Sequence, residues 1–349
     1  MLISMMLSYA GGFHESVEQV TELEKVGLDL VWVAEAYGFD GPSLMGYLAA
    51  KTDHVQIASG IMPIYTRTPT LIAMTAAGLD ALSDGRFQLG LGASGPQVIE
   101  GWHGVPYAAP IGRMREVIEI CRKVWAREEP LVHEGRFFTL PLPLEQGTGL
   151  AKPLKIIARP VRSRIPIWVA SLGEKNVEMT AEIADGWLPF LFLPEKAAQV
   201  WGGALEAGRA KRDPTLGPLQ IRAGGALAIG EAPEVRQAAQ SLRPMLALYI
   251  GGMGAKGRNF YNDVACRYGY EDEAAEIQDL YLSGSKDEAA ALVPSELLEG
   301  MSLCGPESFV AERVAAFKEA GVTHLQVVPI PTGDQTVVSL ISKLRELID

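Results

Sequence analysis

Residues 55–91, VQIASGIMPIYTRTPTLIAMTAAGLDALSDGRFQLGL, contain the pattern that decides the fold of this chain. Two short apolar segments, 55–62 and 86–91, have the length and composition of buried strands. Between them lies a segment of helical period, 69–82, which begins at a proline and is followed by the turn residues Ser-Asp-Gly at 83–85. A strand, a helix and a second strand in this order predict a βαβ unit with parallel strands.

The same alternation continues on both sides of this unit. The predicted strands are 2–8, 30–34, 55–62, 86–91, 167–170, 187–192, 219–229 and 322–329. The predicted helices are 15–26, about 42–51, 69–82, 111–127, 174–184, 195–211 and 336–347. Eight strands that alternate singly with helices favour a closed (β/α)8 TIM barrel over an open doubly wound sheet.

Two longer segments interrupt the alternation. The first, at about 129–165, begins with an extended hairpin arm at 133–140 and continues as a stretch rich in proline and glycine. The second, at about 230–305, is largely of helical period. Because barrels commonly exceed 250 residues as one domain, we expect residues 1–349 to form a single domain with these two insertions.

Composition and charge limit the class of partner. The chain has 31 Lys and Arg against 42 Asp and Glu, a net charge of −11, which argues against a nucleic-acid or anionic-membrane surface. No apolar run reaches membrane-spanning length. Cys121, Cys266 and Cys304 are far apart and odd in number, which favours the reducing cytoplasm over a disulfide-stabilised setting. We expect a small organic substrate.

A barrel places its chemistry in the loops that follow the carboxyl ends of its strands. That rule selects the loops at 8–13, 35–40, 60–67, 92–97, 171–173 and 329–333. In the loop that contains Ala93, Ser94 and Gly95, small residues allow the backbone to approach a ligand and to bind an anion. A simple tight turn remains the alternative there, and no clear helix start follows this loop.

Ser171, Leu172 and Gly173 join a strand to a helix that begins near Glu174. Free N–H groups and the positive end of the helix dipole therefore face the opening of the barrel. We expect this loop to bind a phosphate group, with Ser171 capping the helix or contacting the phosphate.

Charged residues supply two further candidates. Glu35 follows the hydrophobic strand 30–34, so it is a candidate proton donor, acceptor or cofactor partner, with a structural salt bridge as the alternative. Lys256 and Arg258 lie in the glycine-dense segment GGMGAKGRNFYN (251–262), which is either a lid over an anionic ligand or a flexible surface loop. The five histidines show no metal-ligand spacing, so no metal site is expected.

These loops, in this order, resemble the bacterial luciferase-like flavin and deazaflavin oxidoreductases over almost the whole chain. The segments with the strongest resemblance are GLDLVWVAE (27–35), TP (68–69), LSDGRF (82–87), LGLG (89–92), PIWVASLG (166–173) and EIADGW (182–187). The resemblance implies a TIM barrel with a redox activity. It also implies a homodimer, because barrels of this family commonly pair through their early helices.

Two segments are similar to the members that use the deazaflavin F420. GIMPIYTRTP (60–69) looks like the corresponding stretch of methylenetetrahydromethanopterin reductases, a group that carries a non-proline cis peptide behind the deazaflavin ring. That peptide would here join Gly60 to Ile61. The segment 251–262, with YGY at 268–270, looks like actinobacterial proteins described as F420-dependent oxidoreductases.

The resemblance implies hydride transfer between F420 and an organic substrate, with the ring against Gly60 and Ile61 and the phosphate near residues 93–95 and 171–173. Glu35 would be a polar partner in that site. The residues expected to shape the substrate pocket are Tyr37, Tyr65 and Trp102.

One residue departs from the pattern of the F420 dehydrogenases. Several of them have a histidine where this chain has Ala36, and an alanine side chain cannot transfer a proton. Two alternatives therefore stay open: an FMN-dependent monooxygenase that uses reduced flavin and O₂, and a flavin-binding protein without catalytic activity.

Overall fold

Across residues 1–7 and 11–348, which the computed structural model describes, the chain folds into twelve strands and fifteen α-helices. The strands are β1 (Leu2–Leu7), β2 (Leu30–Val33), β3 (Gln56–Ser59), β4 (Met62–Pro63), β5 (Phe87–Gly92), β6 (His133–Glu134), β7 (Thr139–Leu140), β8 (Ile167–Ala170), β9 (Gly186–Leu188), β10 (Gln220–Ile229), β11 (Leu303–Gly305) and β12 (His324–Pro329).

The helices are α1 (Phe13–Leu23), α2 (Gly41–Lys51), α3 (Pro69–Leu82), α4 (Pro96–Gly101), α5 (Pro110–Ala126), α6 (Glu174–Ile183), α7 (Pro194–Arg209), α8 (Pro233–Gln237), α9 (Arg243–Ala247), α10 (Phe260–Arg267), α11 (Glu271–Ser283), α12 (Lys286–Ala291), α13 (Ser295–Met301), α14 (Glu307–Glu319) and α15 (Val337–Ile348). In the described part of the chain, single helices separate most of the barrel strands, whereas α4 and α5 both follow β5 and six α-helices, α8 to α13, lie between β10 and β11.

Among the described residues, eight strands pair in parallel around a closed circle, in the order β1, β2, β3, β5, β8, β9, β10 and β12. The circle closes where β12 pairs with β1, with His324 opposite Leu2. The pairing of β9 with β10, which sets Gly186 opposite Gln220, completes the other side. The predicted TIM barrel and its eight strands are therefore confirmed.

The third strand and the second insertion differ from the prediction. The expected strand at 55–62 is divided into β3 and β4, because the chain departs from the sheet at Gly60 and Ile61 and then returns to pair with β5. The insertion predicted to be largely helical also contains β11, which adds to β10 outside the barrel circle. Three residues are too few to show a strand period in the sequence.

Large aromatic side chains fill the inside of the barrel. Trp32 and Trp168 are fully buried there, with their rings edge to face and their centroids 5.2 Å apart. Gly186 provides the space for them, because a Cβ atom at this position would lie 2.1 Å from Cε3 of Trp168. The interior is thus a packed core, as in other TIM barrels, and leaves the rim as the place for a ligand.

The first insertion folds back onto the barrel helices. Its predicted hairpin is confirmed, since β6 and β7 pair antiparallel. Near its end Arg162 forms an ion pair with the fully buried Asp80 of α3. None of the helices in the described ranges combines the length and the apolar character that a bilayer crossing requires.

Candidate active site at the barrel mouth

Parallel strands bring their carboxyl ends to one rim, which is called the barrel mouth below. The loops at 60–67, 92–97 and 171–173 follow β3, β5 and β8, so all three lie at this mouth. The loop after β1 was also selected from the sequence, but residues 8–10 of it lie outside the described residues.

Gly60 and Ile61 contact the next loop at the mouth. The peptide bond between them is cis, at the position that the family resemblance predicted. The Ile61 side chain lies over Gly92, because a Cβ atom on Gly92 would be 2.7 Å from both Cγ1 and Cδ1 of Ile61. Glycine at this strand end therefore allows the two segments to approach closely.

The loop with Ala93, Ser94 and Gly95 continues directly from that contact. Ser94 has a left-handed backbone with φ of 58°, and its carbonyl accepts a hydrogen bond from the Tyr107 hydroxyl at 3.3 Å. The expectation that no helix follows this loop is wrong, because α4 begins at Pro96. Proline suits a first helical position, since its ring presets φ and the missing N–H has no partner there in any case.

Ser171 does not cap α6. The cap residue is Gly173, and the Ser171 hydroxyl lies 2.8 Å from the Thr180 hydroxyl instead. Thr180 donates its single hydrogen to the Asn176 carbonyl, so the hydrogen between the two hydroxyl groups comes from Ser171.

The side chain of Ser171 therefore has no hydrogen left to donate to a phosphate. The backbone N–H groups of Glu174 and Lys175 at the start of α6 are the donors that remain, because the first N–H groups of a helix have no acceptor within it. The N–H of Asn176 already donates to the Gly173 carbonyl at 3.0 Å.

Two tryptophans stabilise the loop at 171–173 through hydrogen bonds to its carbonyl groups. The indole N–H of Trp187 donates to the Ser171 carbonyl, and that of Trp201 donates to the Leu172 carbonyl, both at 2.9 Å. A Cβ atom on Gly173 would lie 3.1 Å from the ring of Phe260. The segment at 251–262 therefore reaches the loop at 171–173.

The two basic residues of that segment have different surroundings. Lys256 forms an ion pair with Asp279 of α11, so its charge is already balanced, and Arg258 is exposed. What anchors the segment is Asn259, whose side chain accepts from the N–H groups of Tyr261 and Asn262 at the start of α10. The segment is therefore connected to α11 by the ion pair of Lys256 and to α10 by the cap that Asn259 provides.

Glu35 is held in the ion pair that the sequence left open as an alternative. Its carboxylate oxygens lie 2.5 and 3.0 Å from the two terminal nitrogens of Arg67, and one of them accepts from the Gly41 N–H at 2.8 Å. The side chains of Glu35 and Arg67 are 9% and 14% exposed. This carboxylate accepts from three donors, two of which belong to Arg67 in a bidentate arrangement. Glu35 is therefore a positioning group that joins the loop after β2 to the loop after β4.

The three predicted aromatic residues line two places beside these loops. Tyr37 and Trp102 are exposed, and their ring centroids are 6.2 Å apart. Tyr65 lies 5.2 Å from Tyr107 and donates its hydroxyl hydrogen to the Ala108 carbonyl at 2.7 Å. Burial raises the pKa of both Tyr65 and Tyr107, so both phenols stay protonated.

An open cleft of about 370 Å³ lies beside the mouth. It is lined by the segment 64–68, by Val105, Pro106 and Ala108, and by Arg113 and Phe138. Tyr65 and Arg67 therefore face this cleft, whereas the residues of the loops at 93–95 and 171–173 are not among its walls.

Sequence reasoning missed a second aromatic group, made by Phe190, Tyr249 and Tyr261. The Phe190 ring lies 4.1 Å from that of Tyr249 and 5.5 Å from that of Tyr261. The sequence predicted Phe190 to lie inside the strand 187–192, whereas β9 ends at Leu188 and leaves Phe190 in the loop that follows. The two tyrosines belong to the second insertion, and the periodicity of its sequence does not predict which of its residues lie at the mouth.

Within residues 1–7 and 11–348 no group of three or more His, Cys, Asp or Glu side chains could hold a metal ion.

Comparisons with known proteins agree with this architecture. A family model described as luciferase-like monooxygenase matches residues 2–324. A protein of Mycobacterium tuberculosis, whose name assigns it to the coenzyme F420-dependent oxidoreductases, is 40% identical over 334 residues, which are 94% of each chain. A 5,10-methylenetetrahydromethanopterin reductase of Archaeoglobus fulgidus is 26% identical and covers 95% of this chain and 94% of its own.

A solved structure has the same fold. The coenzyme F420-dependent tetrahydromethanopterin reductase of Methanopyrus kandleri superposes with a TM-score of 0.76 at 22% identity, over 99% of this chain and 96% of its own. The family model and the relative from Mycobacterium tuberculosis each span nearly the full length of the chain. The chain therefore belongs to the luciferase-like monooxygenase family.

Proposed function

We propose that this protein is an oxidoreductase that transfers a hydride between coenzyme F420 and a small organic substrate at the barrel mouth. The observation that carries the proposal is the contact of Ile61 with Gly92, at the same rim as the loop at 171–173. The relative from Mycobacterium tuberculosis supports the choice of F420, because it is 40% identical over 94% of both chains.

The residues at the mouth fit a flat ring with a phosphate tail. Gly60 and Ile61 present a flat apolar support, and Gly92 lets this support lie close to the loop at 93–95. The N–H groups that open α6 can donate to a phosphate, with the favourable helix dipole behind them. F420, when bound, supplies the two-electron hydride chemistry, and the protein supplies position and electrostatics.

The chain's own side chains keep this support in place. The ion pair of Glu35 with Arg67 ties the loop after β4 to the start of α2. The rings of Phe190, Tyr249 and Tyr261 pack together just beyond the carboxyl end of β9, where we propose that they exclude water from a bound ring. Tyr37, Tyr65 and Trp102 are proposed to contact the substrate at the entrance to the barrel mouth.

Titration of the purified protein with F420 and with FMN, followed by the quenching of their fluorescence, tests the cofactor. We expect F420 to bind at least about tenfold more tightly, a difference of about 1.4 kcal/mol. The variant Gly92→Ala should weaken F420 binding about tenfold, because the added methyl group displaces Ile61 from the support.

The matched control is Gly203→Ala, at an exposed position on α7 with no atom within 4 Å of the added Cβ. It should leave the affinity unchanged. Tighter binding of FMN would contradict the proposal and favour a monooxygenase that uses reduced flavin and O₂. Tight binding of F420 without turnover of any substrate in a broad panel would identify a binding protein without catalytic activity.

We further propose that two copies of the chain pair through α3. Leu71, Met74 and Leu82 are exposed on this helix by 45%, 55% and 65%, at spacings that place them along one side of it. Between them Gly78 leaves open surface. An apolar stripe of this kind is typical of a helix that packs against a partner.

We also propose that residues 1–349 form one domain, with the insertions at about 129–165 and about 230–305 packed against the barrel. The ion pair of Arg162 with Asp80 and the strand β11 beside β10 support this view, since each connects an insertion to the barrel. Free Cys121, Cys266 and Cys304 are consistent with the proposed cytoplasmic location.

A further inference from the structure

Three aromatic rings form a wall on one side of the mouth. Tyr249 lies between the other two, 4.1 Å from Phe190 and 4.8 Å from Tyr261, measured between ring centroids. The rings of Phe190 and Tyr249 are tilted by 33°, whereas that of Tyr261 stands nearly perpendicular to Phe190, at 89°. These three residues are called the aromatic wall below.

The aromatic wall adjoins the loops proposed to bind the cofactor. Phe190 lies two residues beyond the end of β9, whose carboxyl end is at the mouth. Tyr261 adjoins Phe260, whose ring covers Gly173. Tyr107, which donates to the Ser94 carbonyl, is one of the groups that raise the pKa of Tyr261. The wall is therefore connected both to the loop at 93–95 and to the loop at 171–173.

The hydroxyl group of Tyr261 makes no hydrogen bond to any residue within 1–7 and 11–348, although its ring is partly buried among other aromatic rings. A phenol in such surroundings has one hydrogen to donate and normally finds an acceptor. Burial, with Tyr249 and Tyr107 nearby, raises the pKa of Tyr261, so the hydroxyl keeps its hydrogen at any physiological pH.

A substrate for hydride transfer has an electrophilic carbon, most simply one conjugated to a carbonyl group, and the carbonyl oxygen is a hydrogen-bond acceptor. The side chain of Ala36 has no donor to offer such an oxygen. A flat conjugated ring packs favourably against aromatic faces, either offset or edge to face. The wall therefore matches one class of substrate by shape and by hydrogen bonding.

We propose, on the basis of the function proposed above, that the substrate is a flat aryl or conjugated carbonyl compound that packs against the aromatic wall. The Tyr261 hydroxyl donates a hydrogen bond to its carbonyl oxygen. Tyr261 is thus a substrate-binding residue that orients the reacting carbonyl group, whereas Phe190 and Tyr249 hold the ring. The proposal concerns binding, and no bond is made or broken by these three side chains.

The test uses three probes of similar size: 1-tetralone, which has an aryl ring and a carbonyl group, tetralin, which lacks the carbonyl group, and 1-decalone, which lacks the aryl ring. Their dissociation constants are measured by calorimetry on the full chain, with and without F420. We expect 1-tetralone to bind about fivefold more tightly than tetralin, the effect of one hydrogen bond. It should bind about three- to tenfold more tightly than 1-decalone, the effect of aromatic packing.

The variant Tyr261→Phe should remove the preference for 1-tetralone over tetralin and leave the affinity for tetralin unchanged. In the parent, we expect the binding of 1-tetralone to change the ultraviolet absorbance of tyrosine, and the variant should lose this change. Since this hydroxyl has no described partner, its removal breaks no bond and the variant should keep the thermal stability of the parent. The matched control is Tyr47→Phe, a phenol on the outer helix α2 beside His14, which should bind all three probes as the parent does.

Two results would overturn the proposal. One is an unchanged preference for 1-tetralone in Tyr261→Phe, and the other is equal affinity of the parent for 1-tetralone and 1-decalone. A failure of F420 to bind is a different outcome, because it contradicts the proposed function while the probe selectivity of the cofactor-free protein still tests the aromatic wall.

Discussion

His324 shows how the barrel interior sets the chemistry of a single side chain. Only 3% of it is exposed, and its ring packs edge-on against Trp168, with 4.8 Å between the centroids. Burial, together with the positive charges of Arg222 and the chain's amino terminus, lowers the pKa of His324 to about 4. The neutral ring is therefore the form that the native protein contains at neutral pH.

This lowered pKa predicts a loss of stability in mild acid. In the unfolded chain a histidine has a pKa of about 6.5, so between pH 6.5 and 4 the unfolded state binds a proton that the native state does not. The contribution is fully present above this window and is lost as the pH falls through it. We expect the free energy of unfolding to decrease by about 2 kcal/mol through this group between pH 7 and pH 5.

Urea denaturation at the two pH values, on the parent and on His324→Asn, measures this effect. The variant should be less stable at pH 7 but should lose about 2 kcal/mol less than the parent on acidification. His54→Asn, at an exposed histidine, is the control and should show the pH dependence of the parent. Equal pH dependence in His324→Asn and the parent would disprove the assignment.

At the scale of elements, the mouth depends on contacts between loops that belong to different βα units. Glu35 follows β2 and Arg67 follows β4, and the pair is largely buried. A buried charge whose partner is removed loses the interaction that offset its desolvation. The variant Glu35→Ala should therefore lower the free energy of unfolding by about 3 kcal/mol.

The control is Glu182→Ala, at a pair of the same geometry in which Arg115 is 44% exposed, and it should cost less than about 1 kcal/mol. In the double variant Glu35→Ala/Arg67→Met, the loss should be smaller than in Glu35→Ala alone, because no uncompensated charge remains. Urea denaturation of the four proteins gives these values. Losses of the same size in Glu35→Ala and Glu182→Ala would show that the Glu35 pair is not desolvated as the structure indicates.

Elements with strong local signals were predictable, and short ones were not. α3 begins at Pro69 and ends at Leu82 as predicted, because Thr68 caps it by accepting from the Leu71 N–H and proline presets its first turn. α4 and β11 have six and three residues, too few to show a period. The sequence also did not predict the contact of Ser171 with Thr180, because this contact depends on how the first turns of α6 lie against the end of β8.

At the scale of the whole molecule, the exposed stripe on α3 predicts a dimer. The double variant Leu71→Glu/Met74→Glu places two charges in the proposed interface, where they cannot be solvated once the copies meet. We expect the parent to sediment as a dimer and the variant as a monomer at micromolar concentration. Leu282→Glu, at another exposed leucine on α11 with 52% exposure, should remain dimeric. A monomeric parent protein would contradict the proposed pairing.

The sequence by itself determined the barrel and the loops that lie at its mouth. The period of the apolar residues and the prolines and glycines at the ends of elements act locally, so they can be recognised in a single chain. The placement of Gly60 and Ile61 at the mouth followed from the same local order, once the family resemblance was clear.

Only the tertiary structure decided which side chains meet at that mouth. Glu35 and Arg67 are 32 positions apart, and Tyr261 reaches Phe190 from an insertion that has no fixed place in the strand order. Such contacts depend on the closure of the barrel and on how each loop packs over it. The local periodicity of the sequence predicts neither the closure nor the packing. The loops that form the mouth were therefore predictable from the sequence, whereas the aromatic wall was not.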